Sequence, residues 1–140
     1  MKWDDMDGRF ENNTLLVDIQ ISSPLESSIK ANISFGLDTG FTGDLCLTYK
    51  EAFPLALSLV GVQDYFIADG SKVTFFECIG IVSFDGKSVS ASISIRPSGS
   101  LLMGMSLMKK LGIKLEVDFP NETVKLLPSH ISGTAKSKIK

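Results

Sequence analysis

The stretch FGLDTGFTG, residues 35–43, places an acid at the end of an apolar strand and surrounds it with small, turn-forming residues. The residues before the acid alternate between two sets: Ile29, Ala31, Ile33, Phe35 and Leu37 against Lys30, Asn32, Ser34 and Gly36. A period of two is typical of a half-buried strand. Asp38 therefore follows a core strand, and Gly40 and Gly43 allow a sharp turn after it. Because Asp and Gly are also common in surface turns, this stretch alone leaves an ordinary turn open.

Composition and charge limit what the protein can do. The chain has 140 residues, of which 44% are hydrophobic, enough for one compact domain with one core. Its 14 Lys and Arg residues against 16 Asp and Glu residues predict no nucleic-acid partner and no anionic membrane surface as partner. The N-terminal MKWDDMDGRF lacks an apolar signal segment, and no apolar run is long enough to cross a bilayer. We expect a cytoplasmic protein.

The cysteine and histidine positions narrow the chemistry further. Cys46 and Cys78 match no metal-ligand or redox spacing, so we expect buried thiols. The only histidine, His130, lies in a polar, Lys-bearing segment that we interpret as a solvated tail. Ser-His and Cys-His catalysis and the usual zinc sites need a histidine in the folded body, and no nucleotide-binding glycine pattern is present. The sequence predicts no metal and no cofactor, and an enzyme of this composition would use carboxylates.

Short strands dominate the rest of the chain. The strand patterns are TLLVDIQI at 14–21, the stretch 29–37, DLCL at 44–47, the two arms of 62–84, KSVSASISI at 87–95, IKLEVDF at 113–119 and ETVKLL at 122–127. Asp85-Gly86 predicts a two-residue hairpin and Pro120-Asn121 a turn. YKEAFPLALSLVG, 49–61, permits a short helix that Pro54 limits to its first turn. The segment 101–112 predicts one late helix that ends at Gly112, and the whole pattern indicates an all-β barrel or sandwich.

Three segments, LDTGFTG at 37–43, FIADGS at 66–71 and LLMGMSLMKKLGI at 101–113, follow one another in an order that supports a family assignment. In order and separation they resemble the single-domain, retropepsin-like aspartic proteases, especially the bacterial members with a DTGFTG-type motif. The resemblance extends from about residue 14 to 127. It implies a retropepsin-like closed β-barrel, the acid protease fold, with one short C-terminal helix. The implied domains are an N-terminal arm at 1–13, a protease domain at 14–128 and a flexible tail at 129–140.

The same resemblance assigns roles to individual residues. It implies that Asp38 is the catalytic acid, supported by Thr39, Gly40 and Gly104. Independently of the family, a glycine at 104 lets backbone approach the loop that begins at Asp38, residues 38–44, which we call the acid loop. A plain helix-entry glycine is the alternative. FIADGS is similar to the tip of the flap, the hairpin that folds over a bound peptide. The implied substrate-binding residues are Phe41, Ala68, Asp69, Gly70 and Met103.

The chain contains one DTG motif, whereas peptide hydrolysis by an activated water needs two carboxyl groups in different protonation states. In aspartic proteases two carboxyls at close range share one proton, because like charges oppose full ionisation. We therefore expect a homodimer in which Asp38 of each chain forms the dyad, acting on a peptide or protein substrate. A non-catalytic peptide-binding or dimerisation module of the same fold is the main alternative, and a structural β-barrel with fortuitous motifs is a third.

Overall fold

The computed structural model describes residues 8–129, and the predicted all-β class is confirmed. The strands are β1 Arg9–Glu11, β2 Thr14–Ser22, β3 Lys30–Leu37, β4 Leu45–Thr48, β5 Ser58–Phe66, β6 Lys72–Phe84, β7 Lys87–Arg96, β8 Leu102–Met103, β9 Ile113–Asp118 and β10 Thr123–Pro128. The helices are α1 Tyr49–Ala52 and α2 Met105–Leu111, with a 3₁₀ turn at Phe53–Leu55 between α1 and β5. Within residues 8–129 neither helix has the length and apolar content needed to span a bilayer.

The strands form one large sheet and one small one. The large sheet has the order β1-β2-β3-β8-β4-β7-β6-β5, and β2 also pairs with β6. This extra pairing closes a ring of six strands, in the order β2-β3-β8-β4-β7-β6. β1 and β5 lie outside the ring as edge strands. The second sheet is the hairpin of β9 and β10. Most neighbours are antiparallel, but β3 runs parallel to β8 and β4 runs parallel to β7.

The core follows the period-two patterns of the sequence. In β7 the serines at 88, 90 and 92 are exposed while Ala91, Ile93 and Ile95 are buried. In β3 the side chain of Phe35 has no exposed surface, and those of Ala31 and Ile33 pack against the core from its margin. Each large side chain that is buried in this way contributes about 1.5–3 kcal/mol to folding. The alternation therefore sets the face that each strand turns inward.

The turns predicted from single residues form as expected. Asp85 and Gly86 both have positive φ, 52° and 77°, as a two-residue hairpin with a right-handed twist requires. Gly112 ends α2 in the left-handed region at φ 67°, where its amide donates to the carbonyl of Lys109. Pro54 lies in the 3₁₀ turn after the single turn of α1. Local turn chemistry was therefore readable from the sequence at these positions.

One strand was not expected, and another begins earlier in the chain than predicted. β1 precedes the first strand predicted from the sequence and pairs with β2, and the amide of Gly8 donates to the carbonyl of Val124 in β10 at 3.1 Å. β5 begins at Ser58, within the segment that permitted a helix, because the chain extends directly after the left-handed Ala56. His130 and the rest of the tail expected after residue 129 lie outside the described residues.

Candidate active site

Asp38 lies directly after β3, where backbone groups determine its position. Its amide donates to the carbonyl of Met103 at 3.0 Å, and its carbonyl accepts from the amide of Phe41 at 3.1 Å. Its carboxylate oxygen Oδ1 accepts from the amide of Gly40 at 2.8 Å. The side chain is half-buried in the single chain. The turn therefore orients the carboxylate through the backbone and leaves the residue partly exposed.

Strand β8 lies between the two strands that flank the acid loop. It runs parallel to β3, with Leu37 opposite Met103, and antiparallel to β4, with Leu45 also opposite Met103. The two-residue β8 thus lies between the strand that precedes Asp38 and the strand that follows the loop. This arrangement brings the first and third sequence landmarks, LDTGFTG and LLMG, together.

Gly104 marks the point of closest approach between these two segments. A Cβ atom at this position would lie 2.2 Å from the carbonyl oxygen of Gly43 and 2.6 Å from that of Phe41, which no real side chain achieves. Gly104 is also the N-cap residue of α2. The two alternatives left open by the sequence therefore both apply: Gly104 allows a close backbone approach and also begins a helix.

Carbonyl groups of the acid loop also accept hydrogen bonds from the backbone amides at the start of α2. The amide of Gly104 donates to the carbonyl of Asp44 at 2.9 Å, and the amide of Met105 donates to that of Phe41 at 2.9 Å. The amide of Ser106 donates to the carbonyl of Gly43 at 3.2 Å. Helix N-termini leave such amides without intrahelical partners, so these bonds stabilise the loop and the helix together.

Thr39 and Gly40, expected to support Asp38, and Phe41, expected to contact the substrate, follow Asp38 directly in the same turn. The ring of Phe41 covers Gly43 and Gly104, since Cβ atoms built there would approach it to 2.8 and 2.6 Å. Gly40 is exposed, as is Thr39, whose hydroxyl has no hydrogen-bond partner within residues 8–129. Phe41 is thus largely engaged with its own loop, whereas Thr39 remains free to contact another molecule.

Asp44 was not singled out from the sequence. It is 2% exposed, and its carboxylate oxygen Oδ2 accepts from Lys110 Nζ at 2.6 Å and from the Ser92 amide at 2.8 Å. Burial acts to raise the pKa of Asp44, but Lys110, the Ser92 amide and Ser106 together hold that pKa below its ordinary value. Asp44 therefore joins the acid loop to α2 and β7 as a carboxylate.

The hairpin of β5 and β6 carries the second landmark at its tip. The amide of Ile67 donates to the carbonyl of Ser71 at 3.0 Å, and Gly70 closes the turn with φ 89°. Asp69 Oδ1 accepts from both the amide and the hydroxyl of Ser71, which hold the pKa of Asp69 below its ordinary value. Ala68, Asp69 and Gly70 are all exposed. The carboxylate of Asp69 is thus used within its own turn.

Met103 occupies a different environment from the other expected substrate contacts. Its side chain has no exposed surface and belongs to the hydrophobic core. Its neighbour Leu102 is partly exposed, because adjacent residues of a strand point to opposite faces. In this chain Leu102, rather than Met103, presents a side chain to the surface beside Asp38.

The two cysteines are free and buried, as expected. Burial raises the pKa of both the Cys46 and the Cys78 thiols, which disfavours the reactive thiolate. Within residues 8–129, no group of three or more His, Cys, Asp or Glu side chains is arranged to hold a metal ion.

Comparison with known proteins identifies the fold. No protein-family model matches the chain, and no curated protein matches it in sequence. Among solved structures, the EIAV protease complexed with the inhibitor HBY-793 aligns over 76% of this chain and 95% of its own, with 16% identity and a TM-score of 0.53. The retroviral protease-like domain of Ddi1 from Leishmania major aligns over 82% of this chain and 96% of its own, with 11% identity and a TM-score of 0.46. The likeness to the EIAV protease shows that the chain has the retropepsin-like fold.

Proposed function

We propose that this chain is an aspartic endopeptidase that acts as a homodimer, with Asp38 of each chain forming the catalytic dyad. The observation that carries the proposal is the position of Asp38 in the retropepsin-like fold. The acid follows a core strand, is oriented by the Gly40 amide and lies beside the close approach at Gly104. We further propose that the chain belongs to the bacterial DTGFTG-type branch of these proteases and acts in the cytoplasm.

The chemistry requires a second carboxyl group. One ionised carboxylate takes a proton from water while a protonated partner polarises the scissile carbonyl, and a single carboxyl cannot hold both states. Asp69 is engaged with Ser71 in its own turn, and Asp44 is paired with Lys110. A second copy of Asp38 is therefore the partner that we propose.

The exposed residues of the acid loop support a dimer at this site. Asp38 is half-buried and Thr39 is exposed with a free hydroxyl, so both can meet their counterparts without displacing a bond between side chains of this chain. Thr39 of each chain would then bond to the opposite loop across the two-fold axis and hold the two acids in place.

We propose that the hairpin of β5 and β6 covers the substrate. Its β5 arm and its tip expose large apolar side chains, namely Leu59, Val60, Val62, Tyr65, Phe66 and Ile67. Backbone groups of Ala68, Asp69 and Gly70 would contact the peptide main chain, and closure would exclude water from the dyad. Leu102 and Phe41 add apolar surface beside the acid. Extended peptides with apolar residues at the scissile bond are the expected substrates.

A peptide-cleavage assay with the purified full chain and its Asp38→Asn variant tests this function. The wild type should cleave extended apolar peptides, and the variant should not, although its thermal unfolding should be unchanged because an amide can accept the same bond from Gly40. Cleavage by the variant, or cleavage by the wild type only beside charged residues, would contradict the proposal.

A non-catalytic peptide-binding module is the second candidate. The observation in its favour is the outer edge of β5, which lies at the end of the large sheet and exposes apolar residues to which an extended peptide could add as a strand. This candidate predicts that wild type and Asp38→Asn bind a peptide equally and that neither cleaves it.

A further inference from the structure

A row of four side chains crosses the large sheet beside Asp38. Leu102 in β8 pairs with Cys46 in β4, Cys46 pairs with Ser94 in β7, and Ser94 pairs with Glu77 in β6. Residues that are directly paired across strands point to the same face of a sheet. Their neighbours along the strands, such as Leu47 and Ile95, are buried in the core. The row therefore lies on the face opposite to the core.

Asp38 leaves the sheet on this same face. Gly36 in β3 pairs with Leu102, and Asp38 follows Gly36 by two residues, which is one full period of a strand. The pairing agrees with the electrostatics of Cys46, because burial raises the pKa of its thiol and the charges of Arg96, Glu77 and Asp38 act on that pKa as well. The row thus leads from the acid towards the base of the β5–β6 hairpin.

Glu77 is the charged group at the far end of the row. It is half-buried, and its Oε2 accepts from the hydroxyl of Ser94 at 2.9 Å. Within residues 8–129 it forms no ion pair. A half-buried carboxylate oriented by a neighbouring hydroxyl is arranged to receive a cation.

Arg96, a cation on the same face of the neighbouring strand β7, forms its hydrogen bond with a loop carbonyl instead. It lies two residues after Ser94 in β7, and its guanidinium donates to the carbonyl of Ser100 at 2.6 Å. The same guanidinium lies against Gly99, where a Cβ atom would be 3.0 Å from Arg96 Nε. The loop at 97–100 therefore engages one end of the guanidinium, whereas Arg96 Nε is buried without a hydrogen-bond partner within residues 8–129. No ion pair joins Arg96 to Glu77 in this part of the chain, so the carboxylate of Glu77 is left to other partners.

We infer that Glu77, oriented by Ser94, forms an acidic subsite that favours a lysine or arginine of an extended peptide, several residues from the scissile bond. This inference rests on the proposed function. From Leu102 to Glu77 the row spans three strand spacings of about 4.8 Å each, or about 14 Å. At about 3.3 Å per residue, that length corresponds to about four residues of an extended peptide. The subsite adds a basic preference to the apolar preference at the scissile bond.

The test uses peptides that share an apolar scissile pair and carry one lysine at each position from the second to the fifth residue on either side. Matched peptides carry glutamine instead. For the wild type we expect one lysine position to raise kcat/KM about tenfold over its glutamine counterpart. Glu77→Gln should abolish that preference but still cleave the glutamine peptides, and Glu77→Lys should favour glutamate at the same position. Glu116→Gln, a change of the same kind in β9, is the control and should behave as the wild type.

Binding measurements separate this inference from the proposed function. Fluorescence anisotropy with the Asp38→Asn variant measures peptide binding without any cleavage. We expect the dissociation constant of the lysine peptide to be about tenfold lower than that of its glutamine counterpart. Adding Glu77→Gln to this variant should remove the difference. Failure of the wild type to cleave any peptide overturns the proposed function, and the binding data still decide the subsite. Equal treatment of lysine and glutamine peptides at every position, or a lysine preference that survives Glu77→Gln, overturns the inference.

Discussion

Asp38 owes its position to backbone contacts rather than to side-chain partners. The Gly40 amide orients the carboxylate, the Met103 carbonyl holds the Asp38 amide, and the close approach at Gly104 holds the loop against α2. An acid placed in this way keeps its orientation while the residue stays partly exposed.

Gly104→Ala should disrupt the acid loop. The added Cβ would lie 2.2 Å from the Gly43 carbonyl oxygen, and both contacting oxygens belong to the backbone and cannot move independently. We expect a loss of about 2–4 kcal/mol in the free energy of unfolding, measured by urea denaturation. Gly61→Ala is the control, because its Cβ would make only an ordinary contact of 3.8 Å, and it should change stability by less than about 0.5 kcal/mol. Equal effects of the two substitutions would rule out the close approach.

Asp44→Asn should lower stability in a pH-dependent way. Because the folded-state pKa of Asp44 is lowered, ionisation stabilises the fold above the unfolded-state pKa, and this contribution disappears as pH falls through the folded value. Lys110 is 43% exposed, so we expect a loss of only about 1–3 kcal/mol at pH 7. The difference from the wild type should shrink below pH ~4.

The measurement is urea denaturation of both proteins at pH 7 and near pH 3. Glu116→Gln, which removes an exposed pair with Lys114, is the control and should cost less than about 0.5 kcal/mol at either pH. A difference between wild type and Asp44→Asn that grows on acidification would contradict the assigned role of Asp44.

At the scale of elements, the sequence predicts those strands, turns and helix ends that a few adjacent residues specify. The period-two strands, the Asp85-Gly86 hairpin and the Gly112 helix end are each specified by a few adjacent residues, and each forms as expected. β8 has only two residues, too few to show a period, and β1 pairs through only three. Such short strands depend on their neighbours in the fold.

Some features of the site could not be predicted from the sequence, because they also depend on contacts made only in the folded chain. Asp44 and Lys110 are 66 residues apart, and only the packing of α2 against the loop joins them. Met103 adjoins Gly104, but its place in β8 turns the side chain into the core and leaves Leu102 at the surface. The family resemblance singled out LDTGFTG and LLMG, which the fold brings together, whereas strand register decides which of their side chains face out.

The tips of the two hairpins allow a matched test of the proposed flap. Gly70 and Gly86 both have positive φ, 89° and 77°, and a Cβ at either would meet nothing within 4 Å. Alanine at either position should therefore cost about 1 kcal/mol of stability from backbone strain. Only Gly70→Ala should also lower kcat/KM for peptide cleavage, by about tenfold, because the proposed substrate contacts lie at that tip. Similar activity in the two variants would contradict the flap assignment.

At the scale of the whole molecule, the proposal makes the active site a property of two chains. The single chain supplies one oriented acid and one exposed threonine, and in the proposed dimer an identical chain would supply the second half of the dyad. Stability of the dimer and activity are then linked through protein concentration.

Specific activity should fall when the enzyme is diluted. Below the dimer dissociation constant the site itself dissociates, so the rate per chain should decrease with dilution rather than stay constant. The dissociation constant from analytical ultracentrifugation should coincide with the midpoint of this decrease. Constant specific activity well below that concentration would exclude a shared site.

The most direct test of the shared dyad is a mixing experiment with wild type and Asp38→Asn. Wild-type chain is held at a fixed concentration above the dimer dissociation constant, an equal amount of Asp38→Asn chain is added, and peptide cleavage is measured after the chains have exchanged. If both acids are required, half of the wild-type chains enter mixed, inactive dimers, and activity should fall to about half. Glu116→Gln added in place of Asp38→Asn should instead raise the activity, because it contributes its own active sites. Cleavage that is unchanged by the Asp38→Asn chain would show that each Asp38 acts alone and would contradict the central claim.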